Sequence, residues 1–248
     1  MRVFRVGAIV WSNFLSAKKI IYRGFLKRYS SKTFTFNELK MLDNGFGVNR
    51  GTPIDRVLIQ RFLSKQILEL QVPEHASVLE IGDSRYSNSF LPSVSKTVLN
   101  LKKGQEIDFD GEDLVGDLTC TPRLESIFDC ILLTQVLAFT SNPFSASDCL
   151  LRLLKPRGWI IGTEPQLTAL SLYDYRSHGD YFRFTPMGLR AIYESSSCGF
   201  DNFCFSHLGN LQDSLNLMMG VVLEDGVKVG AYNSIQHAPT IGYKLQRK

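Results

Sequence analysis

The chain has 248 residues, 44% of them apolar and 21% charged, which is enough to bury a large core and excludes a disordered or fibrous class. Its five cysteines, at 120, 130, 149, 198 and 204, show neither a CxxC pair nor metal-ligand spacing. They read as reduced, buried thiols of a cytoplasmic protein, with no metal site. Charge is uneven: residues 1–40 carry +8 and the remaining 208 carry −4, so the main body is a poor partner for nucleic acid.

No run approaches the roughly 18 continuous apolar residues of a membrane span. The apolar start Val6 to Trp11 is short and lacks a small-residue cleavage site, so no secretory signal is expected. Residues 12–29 place Phe14, Leu15, Ile20, Ile21, Phe25 and Leu26 among lysines and arginines at rough helical spacing. This basic helical extension, residues 1–45, has two readings. One is an interfacial helix on an anionic membrane surface or acidic partner, and the other is a helix packed on its own domain.

The main domain is expected to span 46–248. Residues 43–51 form a loop by composition, and Thr52-Pro53-Ile54-Asp55 has the features of a helix start, with Thr52 as cap. The helix carries Leu58, Ile59, Phe62, Leu63, Ile67 and Leu70 and should stop near Val72-Pro73. Capping explains Thr52 and Asp55; a site role for 51–56, flanked by Arg50 and Arg56, is the other reading.

Five strands are then expected, at 77–82, 96–101, 113–118, 128–135 and 158–164, separated by crossovers. That alternation predicts a parallel sheet with helices on both faces. A helix over 146–154, stopped at Lys155-Pro156-Arg157-Gly158, joins the last two. Beyond 165 come an aromatic, charged stretch (173–185), a helix (186–196) and two closing strands (201–208 and 240–246).

In a parallel sheet the strand tips share one edge. Here they bring together Glu80 and Gly82, Asn100, Asp117, Thr134-Gln135 and Glu164, a polar and mildly acidic crevice suited to a cationic ligand. No GxxxxGK[ST] loop is present, and GxGxxG is missing after the first strand. These absences count against nucleoside triphosphates and against a nicotinamide-dependent enzyme.

Val78-Leu79-Glu80-Ile81-Gly82, Val115-Gly116-Asp117-Leu118, Phe128-Asp129-Cys130-Ile131-Leu132 and the LLRLLKPRG run at 150–158 resemble, in order and spacing, the motifs of class I S-adenosylmethionine-dependent methyltransferases. RGTPIDR (50–56), TQVL (134–137) and GDYFRFT (179–185) resemble a bacterial branch often associated with polysaccharide or other glycan biosynthesis. The resemblance covers about residue 46 to the end. It implies a Rossmann-like seven-stranded sheet, mostly parallel with the last strand antiparallel, and S-adenosylmethionine as cofactor.

Carried onto this chain, it implies that Glu80, Gly82 and Asp83 border the methionine end, Asp117 and Leu118 the adenine, and Gln135 the sulfonium-bearing tail. Asn100 stands where the pattern has an acid for the ribose hydroxyls, offering one carbonyl acceptor instead of two carboxylate oxygens. The first loop has Ser84 and Tyr86 where many members have glycines. A hydroxyl acceptor on a sugar, glycan or related small molecule would need a base, for which the candidates are His178, Asp180 and, farther on, His207, the first two being the better placed. Tyr173, Tyr181 and Arg183 are the candidate substrate contacts. The other reading of Asp180 is a structural pair with Arg183. Thr134-Gln135-Val136-Leu137, where DPPY-like motifs stand, disfavours methylation of bases. The rival to an enzyme is a catalytically inactive methyltransferase-fold binding or assembly protein.

Overall fold

The computed structural model describes residues 51–248, so the expectations for the basic extension fall outside the described residues. Helix α1 (Ile54–Leu70) is followed by strand β1 (Ser77–Ile81), helix α2 (Arg85–Phe90) and strands β2 (Ser95–Leu101), β3 (Asp108–Asp110), β4 (Asp113–Gly116) and β5 (Phe128–Thr134). A 3-10 turn (Leu137–Phe139), α3 (Pro143–Leu153), β6 (Leu154–Pro165), α4 (Leu172–Ser177), α5 (Pro186–Glu194), β7 (Phe200–Leu208), α6 (Leu211–Met218) and β8 (Thr240–Arg247) complete the order.

Among the described residues, eight strands join one sheet in the order β3-β4-β2-β1-β5-β6-β8-β7. The pairs β4–β2, β2–β1, β1–β5 and β5–β6 are parallel, whereas β8 runs antiparallel to both β6 and β7. This is a Rossmann-like α/β fold with helices on both faces. It exceeds the expected seven strands by one, because the short β3 adds an antiparallel edge to β4.

Strand alternation sorts side chains onto two faces. Leu79, Ile131, Leu133, Ile160 and Tyr243 join one core with Leu150 and Leu153 of α3 and Leu189, Ile192 and Tyr193 of α5. Val78, Cys130, Leu132 and Ile161 join the other with Leu58 and Phe62 of α1 and Leu217 of α6. Burying both faces is what makes the central strands read as near-continuous apolar runs.

Several expected boundaries moved: β4 ends at Gly116 instead of 118, and β6 begins at Leu154, so the expected helix stop at 155–158 lies inside a strand. Thr52 does not cap α1; its amide and hydroxyl both bond the Glu224 carboxylate at 2.8 Å, and Pro53 stands at the cap position. Helix α3 starts at Pro143, where the Asn142 side chain accepts from the Ser145 amide, and its end at Leu153 runs straight into β6.

Gly162 of β6 lies under the Tyr243 ring, where a Cβ would stand 2.4 Å from ring carbon. The Tyr243 hydroxyl meets that of Tyr193 at 2.9 Å, so the ring cannot slide away without breaking a buried bond. Gly162→Ala should therefore cost about 1–3 kcal/mol by overpacking, read as a lower urea midpoint with unchanged m-value.

Candidate active site

The chain lays β2 and β4 on one side of β1, then β5 and β6 on the other. The order reverses between β1 and β5, and a crevice is expected outside their carboxyl ends. Gly82 leaves β1 with φ +86 and its amide on the Leu99 carbonyl at 3.0 Å; a Cβ there would meet nothing within 4 Å. The left-handed turn requires glycine, and the open space lets a ligand approach the backbone.

Across the reversal, Gln135 ends β5 in the left-handed region at φ +58, with its amide on the Thr163 carbonyl at 2.7 Å. Its side-chain Nε2 is buried with no hydrogen-bond partner among the described residues. A buried amide donor left unpaired costs about 1–3 kcal/mol, and combined with a strained backbone it marks a position shaped for something other than stability. Asn100, at the tip of β2, is exposed and its side-chain amide has no partner among the described residues.

The acids at the strand tips are differently employed than expected. Glu80 is 2% exposed, and its two oxygens accept from the Tyr86 amide at 3.0 Å and the Ser87 amide at 2.8 Å. It folds the loop back and starts α2 in place of a local cap, while burial pushes its carboxyl up despite those bonds. Glu164 of β6 likewise turns inward and holds the turn after β5 through the Leu137 and Ala138 amides. Asp117 is partly desolvated, yet bonds from the Gly104 and Thr119 amides and the Thr119 hydroxyl hold its carboxyl below the usual range. It ties the loop after β2 to the loop after β4 and keeps one lone pair on Oδ2.

Asp83 is exposed and pairs with Arg85 at 3.4 Å, and Leu118 is 6% exposed and belongs to the core. The crevice is therefore less acidic than its composition suggests. Glu80 and Glu164 turn inward, and the acids left near the rim are Asp83 and Asp117.

The aromatic segment hangs over the tips of β5 and β6. The Tyr181 and Phe182 amides bond the Ala138 carbonyl at 2.9 and 3.2 Å, and the Phe184 amide bonds Pro165 at 2.9 Å. Tyr173 and Tyr181 are 68% and 51% exposed. Gly179, at φ +98, packs under the Tyr181 ring, where a Cβ would clash at 2.4 Å. The close approach at this glycine is to the chain's own tyrosine.

Asp180 and Arg183 do not take the expected parts. The Asp180 side chain is 1% exposed and grips Arg183 with both oxygens, while its Oδ2 also accepts from the Ser171 amide at 2.9 Å. Although burial opposes the charge, these bonds hold its carboxyl below the usual range, unsuited to taking a proton. Arg183 gives its five N–H bonds to the Thr168, Ala169 and Phe182 carbonyls and twice to Asp180. With every donor used, it has none for a substrate. The pair is a structural clamp, as its i,i+3 spacing allowed.

His178 differs. It follows α4, and its carbonyl accepts from Lys103 Nζ of the loop after β2 at 3.3 Å. Its Nδ1 is buried with no hydrogen-bond partner among the described residues. The Lys103 contact, which joins the aromatic segment to the β2 side of the crevice, had no sequence signal.

No family model matches the chain. Part of it is similar to Probable polyketide synthase 10 of Dictyostelium discoideum, 26% identical over 118 residues, or 48% of this chain and 5% of that protein. The chain thus spans a small fraction of the curated relative it matches. Among solved structures it is similar to an S-adenosylmethionine-dependent methyltransferase of Thermotoga maritima, at 16% identity and TM-score 0.49, covering 77% of this chain and 92% of that one. A counterpart from Archaeoglobus fulgidus gives 14% identity and TM-score 0.47, covering 76% and 94%. Haemonchus contortus phosphoethanolamine N-methyltransferase 2, solved with S-adenosyl-L-methionine, gives 14% and 0.48, covering 74% of this chain and 51% of that one. At such identities these are likenesses of fold.

Proposed function

We propose that the chain is an S-adenosylmethionine-dependent methyltransferase acting on a hydroxyl of a sugar, glycan or related small molecule. The observation that carries the cofactor reading is the junction of β1 and β5, where Gly82 opens toward free space and Gln135 presents an unpaired buried amide. Both fit a ligand lying across the tips, with Gly82 beside its amino-acid tail, Asn100 at the ribose hydroxyls and the spare lone pair of Asp117 at the adenine amino group. When bound, the cofactor supplies a methyl group already activated on a sulfonium. The chain's own share is to orient an acceptor and take its proton.

His178 is the residue for that proton, since its Nδ1 is unengaged and Asp180 is spent on Arg183. A neutral histidine ring offers one nitrogen as acceptor, which suits a general base. Tyr173 and Tyr181 would wall the acceptor, because exposed aromatic faces stack on rings. Placement in the cytoplasm, and a membrane or partner contact through residues 1–40, belong to the same proposal.

Methyl transfer from labelled S-adenosylmethionine, tried against sugar and non-sugar hydroxyl acceptors, tests the reading. His178→Ala should leave S-adenosylhomocysteine affinity within a factor of two and reduce turnover by about 10²–10⁴-fold, the usual worth of a general base. Undiminished turnover would remove His178 from that role. A second reading, a methyltransferase-fold protein without catalysis, is favoured by the commitment of Asp180 and Arg183 to each other. Cofactor binding without transfer to any acceptor would favour it.

A further inference from the structure

The tips of β5 and β6 and the aromatic segment meet at one residue. Glu164, fully buried on β6, accepts from the Leu137 amide at 3.0 Å through Oε1 and from the Ala138 amide at 3.1 Å through Oε2. The carbonyl of that same Ala138 carries the Tyr181 and Phe182 amides. The neighbours of Glu164 along the strand complete the set: the Thr163 carbonyl holds the Gln135 amide, and the Pro165 carbonyl holds the Phe184 amide. Every connection between the post-β5 turn, Gln135 and residues 181–184 named here passes through residues 163–165 or through the turn that Glu164 grips.

We infer that Glu164 is a positioning residue that sets the post-β5 turn and the aromatic segment as one unit, so that the Gln135 side and the Tyr181 side of the crevice move together. Its relevance to methyl transfer rests on the function proposed above; the coupling itself does not.

The surroundings make this grip responsive to protons. Among the described residues, Tyr193 of α5 and Tyr243 of β8 are the titratable groups that feel its charge, both neutral and bonded to each other, and the turn itself contributes Val136, Leu137 and Ala138. Among the described residues no cation offsets the buried carboxyl. Burial therefore lifts it to about 8, against the pull of the turn's amides. If the turn opens, the group meets water and returns to its ordinary value of 4.5. The closed state then holds a proton that the open state releases. The closed form is at its strongest below the ordinary value, weakens as pH rises toward 8 and changes no further above it.

Hydrogen exchange by mass spectrometry on the full chain, corrected for intrinsic rates, tests this. In the wild type, protection of 136–139 and 181–184 should fall together, approaching tenfold per pH unit, between about pH 5 and 8. Glu164→Gln should abolish that slope in both segments. Glu164→Ala should speed exchange of both at least tenfold at pH 6.5, leaving β1 and β2 as in the wild type; should it fail to fold, the Glu164→Gln slope decides. Loosening of 136–139 with 181–184 unmoved, or an unchanged slope in Glu164→Gln, would overturn the coupling. S-adenosylhomocysteine titration of the same samples separates the two proposals, because absent binding with coupled exchange removes the cofactor reading and leaves the positioning role standing.

Discussion

Arg183→Ala should destabilise the domain by about 3–5 kcal/mol, the loss typical when one partner of a buried ion pair is removed. The Asp180 side chain it would strand is 1% exposed, and the three carbonyls of residues 168, 169 and 182 would lose their donor as well. A lysine should not rescue it, since a single ammonium cannot reach both carboxylate oxygens and three carbonyls arranged around a planar fork. Chemical denaturation reads the loss, and a cost below about 1 kcal/mol would show that the clamp is a surface pair in solution. The same clamp sets an acid limit. Asp180 is held below the usual carboxylate range, so its contribution is complete above the ordinary value of 3.8 and disappears as pH falls through its lowered value.

Glu80→Ala should cost about 2–6 kcal/mol, because it leaves the Tyr86 and Ser87 amides buried and unpaired, at about 1–3 kcal/mol for each such group. Helix α2 has no side-chain cap from Ser84, so its first turn depends on a residue four positions ahead of that cap. Losing that hold should also spoil the loop after β1 as a ligand wall. We expect affinity for S-adenosylhomocysteine to fall at least tenfold, measured on the folded fraction by calorimetry. Glu80→Gln retains one acceptor and should lie between the two. An alanine variant of undiminished stability would mean that water can replace the carboxylate there.

The sheet was legible in the sequence because its central strands are buried on both faces, which leaves continuous apolar runs broken by turns at regular spacing. What escaped lacks such a signal. Strand β3 is three residues, Asp108-Phe109-Asp110, on an edge. Helix α4 buries none of its residues, and α2 draws its cap from Glu80, not from its own flank. Helix α6 carries a local signal of its own, the capping box of Asn210 and Asp213.

The site divides in the same way. Gly82, Asn100 and Gln135 stand at strand tips, so topology alone brings them to one edge. The acids misled, because composition does not reveal which way a carboxylate points. Glu80 and Glu164 look like crevice charge in the sequence, yet each spends both oxygens on backbone amides; those bonded by Glu164 lie 26 and 27 residues away. Asp180 was ambiguous for a local reason, as a partner three residues on is as visible as a catalytic aspartate.

The central claim is that the β1–β5 junction holds S-adenosylmethionine. Calorimetric titration of the full chain with S-adenosylmethionine, S-adenosylhomocysteine and NADH tests it most directly. The account predicts micromolar binding of the first two at one site per chain and none of NADH. Binding of NADH alone, or of none of the three, would contradict it.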